Sequence, residues 1–245
     1  MSKSALKWII IFLFSILLLY SAYWLIVSSQ FKSQVSSMLG ERNNISYQSM
    51  FVSGFPYRMN MQIENLEIRN EFTEMKTDQL FIDLNPFDLE KIMLRIPKIN
   101  GDIIIENEVL NFTATNLAAR IDFKERNFDS LRLISDKIDT NYLQTNIAEF
   151  NKIKFYIISN NFNSYNVEIK SIGNTNFYSA DTTILIELIG TIENKNNELN
   201  GEIQLNIINN ETNETIFSMP LNVINGELLA LFFPIFNFRD LFSSI

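Results

Sequence analysis

The sequence predicts a mainly β protein: a single N-terminal transmembrane helix followed by a long, curved antiparallel β-sheet domain with one or two short helices. Three observations lead there. Residues 8–27, WIIIFLFSILLLYSAYWLIV, run without a charge. From Ile45 onward apolar residues recur at every second position through most of the chain. Asn, Asp, Gly and Pro clusters punctuate these runs at hairpin-like intervals.

At a rise of about 1.5 Å per residue, residues 8–27 just cross a hydrocarbon core about 30 Å thick. Lys3 and Lys7 precede this run, whereas residues 28–44 offer only Lys32, Glu41 and Arg42. The positive-inside rule then makes residues 1–7 a cytoplasmic tail and puts residues 45–245 across an inner membrane, in the periplasm. A cleaved signal peptide is the competing reading, but its apolar region spans about 7–15 residues and ends at small residues. Here the run is longer, Ser21 and Ala22 are poor cleavage candidates, and Tyr20, Tyr23 and Trp24 suit an interfacial aromatic belt. A retained membrane anchor is therefore expected.

Composition narrows the chemistry. With 20 Lys and Arg against 28 Asp and Glu the formal charge is −8; setting aside Lys3 and Lys7 leaves 18 against 28, or −10, on the exported part. Such a surface disfavours nucleic acid and anionic headgroups, so any lipid contact is expected through acyl chains. There is no His and no Cys. Ser-His-Asp triads, thiol nucleophiles and His/Cys zinc sites are excluded, and the domain must be held by its core alone. Seven Gly make no phosphate-binding loop. The acidic residues lie scattered on alternating strands and read as solvated, not catalytic. No catalytic residue, metal or cofactor is expected, and the chain is read as a non-enzyme.

In order along the chain, Phe31, Val35, Met38 and Leu39 recur at helical spacing within residues 28–44, a stalk or short amphipathic helix ending near Gly40. Ile45, Tyr47 and Met50 to Val52 then read as a strand entering Ser53-Gly54-Phe55-Pro56. Pro56 cannot donate to a ladder and Gly54 tolerates a positive φ, so this is a corner between two strands. Met59, Met61 and Ile63 alternate, and the phase slips to Leu66 and Ile68, the mark of a bulge near Glu64-Asn65 that bends the sheet.

Leu80, Ile82 and Leu84 form the next strand, Asn85-Pro86 reads as cap and first turn of a short helical turn through Phe87, Leu89 and Lys91, and Ile92, Leu94 and Ile96 resume. Strands follow around Ile103, Val109, Leu117 to Phe123, and Leu131. The period fades between Asp139 and Phe150, where Tyr142, Leu143, Ile147, Ala148 and Phe150 suggest a short helix. Later strands centre on Ile153, Val167, Ile184 and Ile203, with Asn197 to Gly201 as a turn. Asn225-Gly226 carries a hairpin signal. The Asn210 and Asn213 sequons read as loop residues.

The stretch ISYQSMFVSGFPYRMNMQIENLEI, placed shortly after the apolar run, resembles an uncharacterised alphaproteobacterial envelope family, the domain of unknown function 2125. Its Gly-Phe-Pro-[Phe/Tyr]-Arg corner matches Gly54, Phe55, Pro56, Tyr57 and Arg58. LFIDLNPFDLEKIMLRIPKINGDIII is similar, more distantly, to the early repeat of AsmA-like envelope proteins, in which strand, turn, strand and a Gly-containing bend follow one another. The resemblance implies an inner-membrane protein handling lipid acyl chains or serving envelope biogenesis. The alternative is a scaffold docking onto another envelope protein.

Overall fold

The computed structural model describes residues 3–40, 44–70, 73–105, 108–125, 127–143, 145–161, 163–175, 183–195, 198–224, 227–230 and 233–237. It opens with one helix, α1 (Lys3–Gly40), whose 38 residues extend for about 57 Å. Fourteen strands follow: β1 (Ile45–Ser46), β2 (Ser49–Ser53), β3 (Met59–Arg69), β4 (Thr73–Asn85), β5 (Asp88–Ile105), β6 (Glu108–Lys124) and β7 (Asn127–Tyr142). They continue as β8 (Thr145–Asn161), β9 (Ser164–Thr175), β10 (Thr183–Lys195), β11 (Glu198–Asn209), β12 (Thr215–Ile224), β13 (Glu227–Ala230) and β14 (Phe233–Asn237).

From β3 each strand pairs antiparallel with the next in sequence, while β1 and β2 both lie along the free side of β3. The result is one open meander. Its two sides differ because the side-chain period is two and the register is strict. Met59, Leu84, Ile92, Ile121, Leu131, Ile157, Val167, Gly190, Ile203 and Leu221 face one another strand by strand from β3 to β12. The next level repeats this with Met61, Ile82, Leu94, Ala119, Leu133, Phe155, Ile169, Leu188, Leu205 and Met219. These rows define an apolar inner face. Met59, Met61, Ile63, Ile157 and Ile192 on it are fully buried. A flat single layer leaves every side chain open on its own side, so the burial of Ile157 and Ile192, which no described residue of α1 covers, requires the sheet to curl over its own face.

The curl has a visible device. Gln48, Asn65, Asp78, Pro97, Asn116, Asp136 and Lys152 drop out of the ladder register, all exposed and at neighbouring levels from the β1–β2 break to β8. Across each the inward phase slips by one, as from Ile63 to Leu66, Ile96 to Ile99, Leu117 to Ala114 and Ile153 to Phe150. Because both partners slip together, the register is unchanged beyond the crease: Ile96 opposes Leu117, and Lys98 opposes Thr115. Asn65, Asn116 and Lys152 absorb the extra residue with φ near +50°. β9 carries no such residue, so a register shift between Asn151 and Lys154 ends the series.

Side chains complete the hydrogen bonding along this crease. The buried Thr77 hydroxyl lies 2.8 Å from the Lys98 carbonyl and 3.0 Å from that of Gln79, donating to one at a time. The Ser135 hydroxyl lies 2.9 Å from the Thr115 carbonyl, and Asn116 Nδ2 donates to Asp136 Oδ2 at 2.8 Å. Asn65 donates to Gln48 across the first step.

The predicted short helices do not form, and α1 is the one helix among the described residues. Asn85 to Lys91 is a two-residue turn at Pro86-Phe87 between β4 and β5, where Asn85 Oδ1 accepts from the Phe87 amide at 3.0 Å. Asn-Pro chemistry serves a turn as well as a helix start, and the cross-strand row claims the apolar residues that follow. Residues 139–150 are a hairpin of β7 and β8, turned at Leu143 with φ 47°. The turn at Leu143 and a register shift between Thr140 and Asn141, which leaves Ile147 out of the ladder, break the period-two signal there. The turn expected at Asn197 to Gly201 falls earlier, between Lys195 and Glu198, leaving Gly201 inside β11 opposite Ile192. Likewise Gly101 lies within β5 under the Phe112 ring, not at a bend. Asn225-Gly226 lies outside the described residues, flanked by the pair Ile224 and Glu227.

β10 and β11 approach closely at Gly190, where an added Cβ would collide with the Glu202 carbonyl oxygen. Gly190→Val therefore forces backbone apart and is expected to cost about 1–3 kcal/mol. A urea midpoint unchanged from wild type in a circular-dichroism titration would contradict this.

Candidate functional site

The sequence singles out the corner Gly54, Phe55, Pro56, Tyr57 and Arg58, and the structure builds it between β2 and β3. Gly54 has φ +101°, a conformation that side chains with a Cβ rarely adopt, and its carbonyl accepts from the Arg58 amide at 3.1 Å. A Cβ at this position would lie 2.7 Å from the Arg58 carbonyl oxygen. The Phe55-Pro56 bond is cis. Phe55 and Pro56 turn toward α1, whereas Arg58 is exposed and Tyr57 is 81% exposed.

What the corner meets is the C-terminal half of the apolar run in α1. The Phe55 ring lies 5.8 Å from Tyr20 and 5.6 Å from Trp24, the latter edge-on. The Tyr20 hydroxyl donates to the Pro56 carbonyl. Phe87, from the neighbouring β4–β5 turn, stacks on Tyr20 at 6.0 Å with 14° between the planes. Offset and edge-on rings of this kind add roughly 0.5–1.5 kcal/mol per pair beyond burial. Sequence reading assigns Tyr20 and Trp24 to an interfacial belt and misses both as partners of the corner, and it places Phe87 in a short helical turn without its contact to Tyr20. Their four-residue spacing, which puts Tyr20 and Trp24 on one helical stripe, is the available signal.

The same stripe continues past the corner. Phe31, Val35 and Leu39 pack on a cluster of Met50, Met61, Ile63 and Leu66, and Ser36 Oγ lies 3.1 Å from the Tyr47 hydroxyl. Residues 28–40 are thus the unbroken end of α1, fastened to the first strands. Toward its start, Trp8 to Leu19 present their side chains to the surroundings, and α1 is long and apolar enough to cross a membrane. Ser15 and Ser21 satisfy their hydroxyls on the Ile11 and Leu17 carbonyls within the helix.

Beyond the helix the inner face divides. On β8 to β12, Ile157, Val167, Ile192, Ile203 and Leu221 are sealed, none more than 2% exposed. The half-buried positions follow the level and not the strand: Ile121 in that row, and Leu94, Leu133, Phe155, Leu188 and Leu205 in the next, whereas Ala119 and Leu131 on β6 and β7 are sealed. The opposite face is charged and paired. Lys76 reaches Glu67 at 2.9 Å and Glu74 at 2.5 Å, and its hydrogen bond holds the Glu67 carboxyl below the usual carboxylate range. Lys137 is raised by its hydrogen bonds to Asp139 and then Glu149. Arg95 grips Asp83 through Nε and Nη2 at 3.0 and 2.8 Å. Lys76–Glu67, Lys137–Glu149 and Arg95–Asp83 link adjacent strands and are solvent-screened, so they set partner choice between strands more than stability.

Comparison of the chain with protein-family models, curated proteins and solved structures finds no match in any of the three.

Gly54→Val combines a forbidden φ with a backbone clash and is expected to cost more than about 1 kcal/mol. Thermal unfolding of the purified variant checks this; a melting temperature equal to wild type would show that the corner tolerates a branched side chain.

Proposed function

We propose that this is a single-pass protein of the bacterial inner membrane, with residues 1–7 cytoplasmic and the sheet in the periplasm. There the half-buried row of the inner face, from Leu94 through Leu133 and Phe155 to Leu205 with Ile121 beside it, receives lipid acyl chains. The observation that carries the reading is the contrast between two rows of one apolar face: sealed at Leu131, Ile157, Val167 and Ile203, and half-buried one level on at Leu94, Leu133, Phe155, Leu188 and Leu205, with Ile121 half-buried beside them. An apolar strip at this exposure suits a ligand that is itself apolar and removable. The exported charge of −10 and the paired outer face point the same way, favouring acyl chains over anionic headgroups. Lys3 and Lys7 support the orientation. The likeness of the Gly54 to Arg58 corner and the β4–β5 segment to envelope families adds to the reading. No chemistry on substrate is assigned: the carboxylates described above are engaged with Lys and Arg across the outer strands.

The second reading, a scaffold for another envelope protein, is favoured by the sealed row of Ile157, Val167, Ile203 and Leu221 and by the edge of β14 that pairs with no strand among the described residues. A pair of substitutions separates the two. Ile121→Asp in a loading strip leaves a folded protein whose binding of a fluorescent fatty acid falls, because the carboxylate meets water when the strip is empty. Ile157→Asp places an unpaired carboxylate in a sealed interior, costs several kcal/mol, and prevents accumulation. Purified full-length protein that carries no lipid, together with an Ile121→Asp variant that fails to accumulate, would overturn lipid handling in favour of the scaffold.

A further inference from the structure

We infer that the Phe55-Pro56-Tyr57 corner and the Pro86-Phe87 turn are membrane-inserting tips that enter the outer leaflet beside α1. The inference rests on the reading of α1 as a membrane anchor and adds where the sheet sits relative to the bilayer. It follows from a mismatch of lengths. If residues 8–27 fill the hydrocarbon, Tyr20 lies about 10 Å below its outer boundary, since seven residues separate it from Val27 at about 1.5 Å each. Yet Tyr20 is the residue that Phe55 and Phe87 touch and whose hydroxyl reaches Pro56. Two hairpin ends of the sheet are thus held beside the helix below the surface. Sliding α1 inward until Tyr20 reached the boundary would instead push a turn or two of apolar helix, from Trp8 to Leu13, out into water, and those side chains are already stripped of protein cover.

The tips have the composition this position demands. Tyr57 is 81% exposed and Phe87 65% exposed, although each lies near a buried neighbour, Met59 and Pro86 respectively. The Tyr57 ring, with its polar hydroxyl, suits the zone near the interface, and the wholly apolar rings of Phe55 and Phe87 suit the acyl chains beneath it. Charge begins directly behind them, with Arg58 after Tyr57 and with the Asp88–Lys91 pair, 2.6 Å apart, after Phe87. Long cationic side chains there can reach headgroups while the rings remain among acyl chains. Three other turns at the same end of the sheet are flanked by polar residues: Lys124 and Glu125 between β6 and β7, Asn160 and Asn163 around the β8–β9 turn, and Lys195 and Glu198 at the β10–β11 turn. Among the described turns at this end, the two that touch α1 are the aromatic ones. Both lie at the end of the sheet from which the inner face begins, so acyl chains would meet that face without crossing water.

The chain has no Cys, which makes single-cysteine probes unambiguous. Full-length variants Tyr57→Cys, Phe87→Cys, Asn160→Cys and Leu13→Cys, each labelled with a polarity-sensitive fluorophore, are reconstituted in phosphatidylethanolamine/phosphatidylglycerol vesicles containing spin-labelled lipid. All four sites are exposed, and far-UV circular dichroism verifies each fold. Labels at positions 57, 87 and 13 are expected to emit at short wavelength and to be quenched by the lipid spin label. The label at 160 is expected to be quenched by aqueous iodide. Iodide quenching at 57 and 87 with lipid quenching at 13 would overturn the inserted tips while leaving the anchor intact. Iodide quenching at 13 as well would overturn the anchor and the tips together.

Discussion

A single β layer has nothing to lay against its apolar side, and everything else in this structure answers that constraint. Two packed sheets, or a sheet and several helices, hide an apolar face by stacking. Here the rows through Leu131, Ile157, Val167 and Ile203 are hidden because the sheet rolls over them, and those through Met61 and Ile63 because α1 lies across them. The outward crease from Gln48 to Lys152 and the close approach at Gly190 serve the same bending. With no disulfide available, curvature and the apolar rows it encloses carry the stability of the domain.

The helix and the sheet are consequently one mechanical unit. The stripe Tyr20, Trp24, Phe31, Val35 and Leu39 runs along about 29 Å of α1, and every member meets the β2–β3 region or the adjacent β4–β5 turn. A flexible stalk would let the domain swivel about its anchor; this arrangement fixes its tilt. The positive φ at Gly54 matters for that reason, since it turns β2 into β3 in a space where the Arg58 backbone leaves no room for a Cβ.

Much of this is legible in the residues. The uncharged run, the alternation of Met59, Met61 and Ile63, and the slip to Leu66 announce the helix, the strands and the first step of the crease. The rest is hidden by the crease itself. A slip of one residue in a strand turns alternation into spacings of three, as from Ser135 to Ile138 and from Phe150 to Ile153, and such spacings mimic a helical face. Within residues 139–150 the turn at Leu143 and the unpaired Ile147 add to this, setting Tyr142, Leu143, Ile147 and Ala148 at helix-like spacings. Phe87 escapes notice because its partner, Tyr20, lies on a distant element, and no local pattern reports a contact across that separation. Likewise alternation cannot tell Ile157, which is sealed, from Ile121, which is half-open, because both occupy the same inward row.

The constant register across the crease has an architectural consequence. Each hairpin from β3 to β8 repeats one plan, two long strands slipping together at one level, so the sheet is assembled from interchangeable two-strand modules. Duplicating a module would widen the sheet by about 10 Å, two strand spacings, without disturbing the pairing on either side. Removing one residue from a single strand, by contrast, would throw that strand out of phase with both neighbours. Such a chain can therefore grow or shrink by whole hairpins far more readily than by single residues, and its span is a quantity that gene duplication can set.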